Sequence, residues 1–406
     1  MPNDADRTLT PKRRFPEFRK SEGWAVGPLV ELADFVNEKI PVSTLVATDY
    51  VSTENLLPDH GGMSPSLKLP PSGSVTRYKS DDVLISNIRP YLKKVWHADR
   101  EGGASNDVIV VRAKSTLSRP FLSLTLKNDA FIAYVMRSAK GLKMPRGDID
   151  AMREYSVAYP DLAEQKKIAD CLASLDELVA SQGGKVESLK AFKKGLLQRL
   201  FPRERETLPR LRLPEFRNEP VWEEQKAGRL FGNRIVKGEA ELPIYSVTMY
   251  DGMVRRDSFD RNFYDIEDPT GNKKACKNDI AYNMMRMWQG AVGVASEDCL
   301  VSPAYVVLSP QRDVVSRFFE YLFKLPATLV LLTSHSRGLT KDRLRLYYDD
   351  FAQIPLRVPT RPEQMRITDC LSSLDARIAA ELEKLNALKT HKKGLMQQLF
   401  PSPENG

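Results

Sequence analysis

Two stretches of the chain carry apolar residues at a spacing of seven. In the first, Ile168, Leu175, Leu189 and Leu196 share one heptad position, with Gln182 in the middle of the row. Leu172, Val179 and Val186 form a neighbouring stripe. In the second, Ile367, Leu374, Leu388 and Leu395 repeat the row around Glu381, flanked by Leu371, Ile378 and Leu385. A sustained seven-residue period predicts a coiled-coil seam. Each stretch of about 36 residues makes a helix ~54 Å long, too long to hide inside one small domain. The seam needs a partner, and the other copy is the obvious one. A single polar residue at the same central position fixes register. Gln182 and Glu381 are therefore candidates to meet near the middle of an antiparallel pair. Gly183-Gly184 stands where the second copy has Leu382-Glu383. Each glycine costs about 1 kcal/mol relative to alanine inside a helix, so a kink, a local break or a close contact is expected there. The plainer reading, two ordinary core helices, fits less well with the heptads and with the copying described next.

Residues 164–202 align with 363–401 without a gap, and 21 of the 39 positions are identical. The repeat reaches further. "FPEFRKSEGW" from Phe15 matches "LPEFRNEPVW" from Leu213, 198 residues on. Between these anchors, at an offset of 197, Asp82 and Arg89 align with Asp279 and Arg286, Ser105 with Ser302, and Gly141-Leu142 with Gly338-Leu339. The chain is two copies of one unit: a variable globular part, then a preserved helical segment. A period this long is outside the range of solenoids and reads as a duplicated domain pair.

The variable parts read as mixed α/β. "DDVLISNIRPYLKKVW" runs from a β-rich stretch into a turn before Pro90, "NDVIVVRA" is a strand, and "PAYVVLSP" is its counterpart in the second copy. "RPFLSLTLKNDAFIAYVMRSAKG" and "SRFFEYLFKLPATLVLLTSHSRG" contain helices. In both copies a proline precedes the long helix and a glutamate lies in its first turn, a helix-start signal.

At 406 residues the chain exceeds one core, since single cores stop growing near about 250–300 residues. No apolar run approaches the roughly 18 residues of a membrane span, and the N-terminus lacks the apolar stretch of a secretory signal. Cys171, Cys276, Cys299 and Cys370 have no CxxC spacing, so neither a zinc site nor a disulfide scaffold is expected, and a reducing cytoplasm is the default. Cys171 and Cys370 repeat beside the seam and read as small buried apolar residues. A net charge of +8 suits a polyanionic partner, nucleic acid above all.

On these residues the chain resembles the specificity subunit of type I restriction–modification enzymes. The resemblance is carried by "DVLISNIRPYL", by "DIAYNMMRMWQGAVG" with "VSPAYVVLSP", by "GLTKDRLRLYYDDFAQIPLRVPTRPEQ" leading into the helix, and by "KKGLLQRLF" followed by "LPEFR". It covers essentially the whole chain. It implies α/β (mixed α+β) target recognition domains at 1–160 and 203–358, helical spacers at 161–202 and 359–402 with a short tail at 403–406, and a pseudo-twofold duplication with two long antiparallel coiled-coil helices. Each domain would read one half of a bipartite, asymmetric double-stranded DNA site, with half-sites about one helical turn apart. The partners implied are two modification (methyltransferase) subunits and the restriction subunits. S-adenosylmethionine, ATP and Mg2+ would be bound by those partners and none by this chain.

An enzymatic reading has little support. "PDLAEQK" imitates a PD…ExK nuclease pattern, but that chemistry gathers its carboxylates from separate strands around a metal, and the second copy, "PTRPEQM", loses both the Asp and the Lys. No GxxxxGK[ST] phosphate loop, G-x-G cofactor loop or [DN]PP[YF] tetrapeptide is present. A protein-interaction module built on the coiled coil is the remaining alternative. For DNA contact, cations suit phosphates, and Arg, Lys, Asn, Gln or small polar groups suit base edges. The candidates are Ser86, Asn87, Arg89, Lys93, Lys94, Lys140, Lys143 and Arg146 in the first unit. In the second they are Tyr282, Asn283, Arg286, Gln289, Arg337, Lys341 and Arg343. Against each stands a solvated charged face, and a shared arginine equally suits support of a loop. Trp24 and Trp222 are expected to be packing residues, and Trp288 leans the same way.

Overall fold

The structure, a computed structural model, describes residues 8–141, 143–203, 206–239, 241–258, 271–340 and 343–401. The chain divides into two compact units, Met1–Gln182 with Lys384–Gly406, and Gly183–Glu383. Each unit holds one globular part and a portion of both long helices.

In the first unit, β1 (Ala33–Phe35), β2 (Val83–Ser86), β3 (Val95–His97) and β4 (Val108–Ala113) form an antiparallel sheet in the order β1-β4-β2-β3. "VLIS" and "VIVV" are apolar without alternation because both faces of this sheet are covered. Val83, Ile85, Ile109 and Val111 face a core with Trp24 and Phe121. Leu84, Val108 and Val110 face another core with Tyr78 and Trp96. The helical stretch that follows is two helices, α1 (Arg119–Lys127) and α2 (Asp129–Ser138). Asn128 separates them, and its side chain caps α2 by accepting the Ala130 N–H. A ribbon of Ala25–Pro28 with Ser156–Tyr159 closes the globular part. The first long helix, α3 (Leu162–Leu200), begins there.

The second unit repeats the plan. β5 (Phe231–Asn233), β6 (Ile280–Asn283), β7 (Val292–Val294) and β8 (Tyr305–Pro310) pair antiparallel in the order β5-β8-β6-β7. α4 (Ser316–Phe323) and α5 (Pro326–Ser334) follow. The ribbon of Glu223–Lys226 with Pro355–Val358 leads to α6 (Arg361–Leu399).

The preserved segment is preserved at its ends as much as along its seam. Arg14 holds the buried Glu164 carboxylate through two hydrogen bonds of 2.8 and 2.6 Å. Arg212 holds Glu363 the same way at 2.9 and 2.7 Å. Both glutamates are 1% exposed. The next residue repeats too. The Gln165 amide donates to the carbonyls of Thr116 and Pro160 and accepts the Ser118 N–H. Gln364 donates to Asp313 and Pro359 and accepts from Val315. Each "EQ" pins a helix start to its own globular part by satisfying loop backbone groups that would otherwise be buried without partners. At the other end of the helices, Phe201 packs with Trp222 and Phe318 in the second unit, and Phe400 with Trp24 and Phe121 in the first. The Leu211 N–H donates to the Arg199 carbonyl, and the Arg13 N–H to the Gln398 carbonyl. The "LF" ending and the "PEFR…W" stretch are therefore two halves of one junction.

Within each unit the start of one long helix runs against the end of the other, so they pack antiparallel. Asp176 pairs with Lys392 in the first unit, and Lys193 with Asp375 in the second. All ten seam positions are sheltered. Ile168, Ile367 and Glu381 are buried, and Leu175, Gln182, Leu189, Leu196, Leu374, Leu388 and Leu395 are half-buried. Glu381 receives Lys185 at 2.8 Å. Gly183-Gly184 neither breaks α3 nor marks a close approach: the helix runs unbroken, and a Cβ at either glycine would meet nothing within 4 Å. Cys171 and Cys370 are free and half-buried. No helix among the described residues is long and apolar enough to cross a membrane.

Candidate nucleic-acid interface

In each unit the turn after the second sheet strand is joined to a hairpin loop that lies beyond the helix pair. In the first unit the turn spans 87–94. The Arg89 N–H donates to the Pro145 carbonyl at 2.8 Å, the Gly147 N–H to Asn87 at 3.1 Å, and the Asn87 N–H to Asp107 at 2.8 Å. Lys140 and Arg146 exchange two backbone hydrogen bonds of 2.9 Å and close the hairpin. In the second unit the turn spans 283–291. The Leu346 N–H donates to the Met284 carbonyl at 2.9 Å, and Arg337 and Arg345 close their hairpin through two bonds of 2.8 Å.

The turns differ inside this shared frame. Arg89 and Lys93 are left-handed, each with φ +52°, an uncommon state for a residue with a Cβ. Arg286, at the matching position, has φ −129° and leads into a turn that ends at the left-handed Gly290. Both arginines are exposed, and neither has a side-chain partner among the described residues. The same holds for Lys143, Gln289 and Arg343. Lys140, Arg146 and Arg337 are exposed but paired, with Asp148 at 2.7 Å, Asp107 at 3.3 Å and Asp350 at 2.7 Å. The hydrogen bond to Asp148 raises the Lys140 ammonium above its usual value, and that to Asp350 raises the Arg337 guanidinium. These cations stay charged at any working pH.

Other candidates serve the scaffold. Tyr282 is fully buried and its hydroxyl donates to the Leu346 carbonyl at 3.2 Å. Burial pushes its phenol well above the usual range. It is a core residue because β6 is covered on both faces. Ser86 is likewise buried, its hydroxyl bound to Ile88 at 2.9 Å. Lys93 is held by Asp129 and Lys94 by the Thr53 carbonyl, both at 2.6 Å. Asn87 turns inward towards Gly147. Asn283 accepts the Met285 N–H at 3.0 Å and shapes its own turn. Trp288, expected in the core, is half-buried, and its indole N–H donates to Met285 across that turn. Lys341 lies outside the described residues.

One exposed cation was missed. The equal-offset match pairs Arg146 with Arg343, yet Arg345 closes the second hairpin as Arg146 closes the first. The signal was present: the copies run 197 apart at Gly141 and Gly338 but 199 apart at Glu164 and Glu363. Two extra residues therefore lie between these points in the second copy, and the hairpin holds them.

Comparison with known proteins gives concordant findings. A family model described as the type I restriction modification DNA specificity domain matches residues 22–191 and again 225–390. A curated relative, the type I restriction enzyme MjaVIII specificity subunit of Methanocaldococcus jannaschii, is 28% identical over 111 residues, 24% of this chain. That match spans about a quarter of the relative's length, 26%. The chain also resembles the crystal structure of a type I restriction-modification S subunit from M. genitalium, with a TM-score of 0.60 at 16% identity, covering 97% of this chain and 99% of that one. A chain from a study of complex assembly and conformational transition of the type I R-M system gives 0.59 at 18% identity, covering 96% and 99%.

Proposed function

The chain belongs to the type I restriction modification DNA specificity family, and from that premise we propose that it is the non-catalytic, sequence-reading subunit of a type I restriction–modification complex. Each unit reads one half of a bipartite, asymmetric duplex site. Residues 1–160 and 203–358 are the readers, and 161–202 and 359–402 the helical spacers. The observation that carries this reading is the twofold occurrence of one frame, turn joined to hairpin, with different exposed side chains on each copy: Arg89, Lys140, Lys143 and Arg146 against Arg286, Gln289, Arg337, Arg343 and Arg345. Two different half-sites require two different readers, and two identical partners require two similar docking surfaces. The repeated helices fit that second need.

The partners follow from the same reading. Two modification subunits dock on the helices and bring S-adenosylmethionine for adenine methylation. Restriction subunits bring ATP-driven translocation and Mg2+-dependent cleavage. The test is genome-wide adenine methylation by single-molecule sequencing in the source strain and in a deletion of this gene. Loss of methylation at one bipartite asymmetric motif supports the reading and assigns both half-sites. An unchanged pattern beside an expressed, working modification subunit overturns it in favour of a protein-interaction module.

A further inference from the structure

Tyr91 and Trp288 stand at matching positions, 197 residues apart, each two residues after the shared arginine. Each is the middle residue of a single turn of 3-10 helix, Pro90–Leu92 in the first unit and Met287–Gln289 in the second. The same backbone hydrogen bonds build both turns. The Leu92 N–H donates to Arg89 at 2.9 Å, and the Gln289 N–H to Arg286 at 3.0 Å. The Lys93 N–H donates to Pro90 at 2.9 Å, and the Gly290 N–H to Met287 at 2.8 Å. Both turns end in a left-handed residue, Lys93 or Gly290. Glycine takes that state freely, whereas lysine takes it against a steric cost, so the first unit keeps the turn without the residue that suits it best. The first residue of each turn, Pro90 or Met287, is buried, and α2 or α5 packs against the turn. Tyr91 is 48% exposed, and its hydroxyl has no hydrogen-bond partner among the described residues. Trp288 is half-buried, and its indole N–H is tied to the Met285 carbonyl at 3.1 Å, which fixes the ring.

Residues that differ between the units suit two different half-sites. A side-chain class kept in both suits a step that both half-sites undergo. On the reading proposed above, that step is adenine methylation in each half by identical partners. A methyltransferase reaches its base only by turning it out of the stack. A flat ring gains little from an intact duplex, whose base faces are covered by their neighbours, but it stacks on a face once that face is uncovered. We propose that Tyr91 and Trp288 are wedges. Each enters its own half-site where the target adenine leaves the helix, and stacks on the base left uncovered. Side chains inserted between base steps offset the cost of unstacking in this way. The braced turn presents the ring already ordered, so little of the stacking gain is lost to immobilising it. Neither ring reads sequence, which agrees with their matching positions. The inference rests on the reading of the chain as the sequence-reading subunit.

The test uses the chain assembled with its modification subunits and a duplex carrying the target site. Two versions of the duplex carry 2-aminopurine in place of the methylated adenine, one in each half-site. Its fluorescence rises when it leaves the stack. At saturating complex the wild type is expected to raise the fluorescence of both. Tyr91→Ala is expected to lower the ratio of extruded to stacked base about tenfold in one half-site and to spare the other. Trp288→Ala is expected to do the same in the opposite half-site. Tyr91→Phe and Trp288→Phe keep a ring and should keep most of the rise. Alanine variants with wild-type fluorescence at both positions overturn the proposal while the specificity reading stands. So do equal losses in both half-sites, or phenylalanine variants as defective as the alanine ones. A loss traced to failed subunit assembly overturns it in favour of a contact with the modification subunit. A wild-type complex that methylates the site with no rise at either position overturns it as well. A wild-type complex with no preference for any duplex sinks both readings together.

Discussion

Asp82 and Asp279 occupy matching positions, 2% and 1% exposed, and each carboxylate meets two nitrogens of one arginine. The arginines do not match. Arg112 lies on β4, whereas Arg234 follows β5, the strand paired with β8, and the place of Arg112 in the second unit is held by Ser309, which accepts a hydrogen bond from Arg234 at 3.0 Å. The buried acid is repeated, and its partner has moved one strand across. The junctions behave differently. There both members recur, Arg14 with Glu164 and Arg212 with Glu363. Neighbouring strands offer two routes to the same carboxylate, so either strand can supply the cation. A helix start docked against an incoming segment offers one route, so acid and base are held together. The exposed surface is freer again, since Arg89 and Arg286 share a position but not a backbone conformation.

The largest expected effect tests the junctions. Removing one partner of a buried ion pair strands the other and costs about 3–5 kcal/mol. Glu164→Ala and Glu363→Ala both fall in that range, leaving Arg14 or Arg212 without its acid. Glu363→Ala is the more costly, by about 1 kcal/mol, because Glu363 also accepts the Trp222 indole N–H at 3.2 Å. Trp24, its counterpart, has no partner for that N–H among the described residues. Urea denaturation followed by tryptophan fluorescence reads both losses. Equal midpoints for the two variants would show that the indole contact contributes nothing.

The next effect tests the strand exchange. Arg234→Ser leaves Asp279 buried without a cation and is expected to cost about 3 kcal/mol. Adding Ser309→Arg places an arginine where the first unit keeps Arg112, and should recover most of that loss. If the double variant is as unstable as the single one, the two units do not offer equivalent sites to the moved arginine, and the comparison fails at that point.

Much of this was legible in the chain. The heptads mark α3 and α6 because a solvent-bounded seam enforces a strict period, and the recurrence of "EQ", "LF" and "PEFR" marks the residues that hold the junctions. Their pairing was not legible. Glu164 reads locally as a helix-start acid, and its partner stands 150 residues away. The site was read less well for a related reason. Lys93 and Lys94 look like free cations in sequence, yet Asp129 and a backbone carbonyl hold them. Tyr282 looks like a groove residue beside Asn283, yet the sheet buries it. Residue type gives chemistry, and only packing decides whether that chemistry is already satisfied.

A smaller effect separates surface roles. Arg286→Ala and Arg89→Ala remove exposed side chains that have no hydrogen-bond or ion-pair partner among the described residues, so stability stays within about 0.5 kcal/mol of wild type. In the assembled complex each is expected to lower DNA affinity about tenfold and to reduce the salt dependence by roughly one phosphate contact. Arg89→Ala keeps a Cβ on the left-handed backbone, so its effect reports the guanidinium and not relief of strain. An unchanged salt slope for either variant would remove that arginine from the interface.

The smallest effect concerns glycines in the long helices. Gly183 and Gly184 occur in one copy only, whereas Gly195 and Gly394 occur in both, and a Cβ on any of the four would meet nothing within 4 Å. With no internal contact to explain them, all four should respond alike in the free chain. Alanine should add about 0.5–1 kcal/mol at each, by restricting the unfolded backbone and favouring the helix. The comparison sharpens when modification subunits are present. On the proposed reading of two identical modification subunits, Gly183→Ala and Gly184→Ala are expected to leave assembly unchanged, since a residue kept in one copy cannot serve two identical docking events. If Gly195→Ala and Gly394→Ala each weaken the binding of one modification subunit while still stabilising the free chain, the repeated glycine is retained because a partner's atoms come close to the helix there. If assembly tolerates all four substitutions equally, the repetition of that glycine has no docking role, and the helix ends owe their preservation to the aromatic junctions alone.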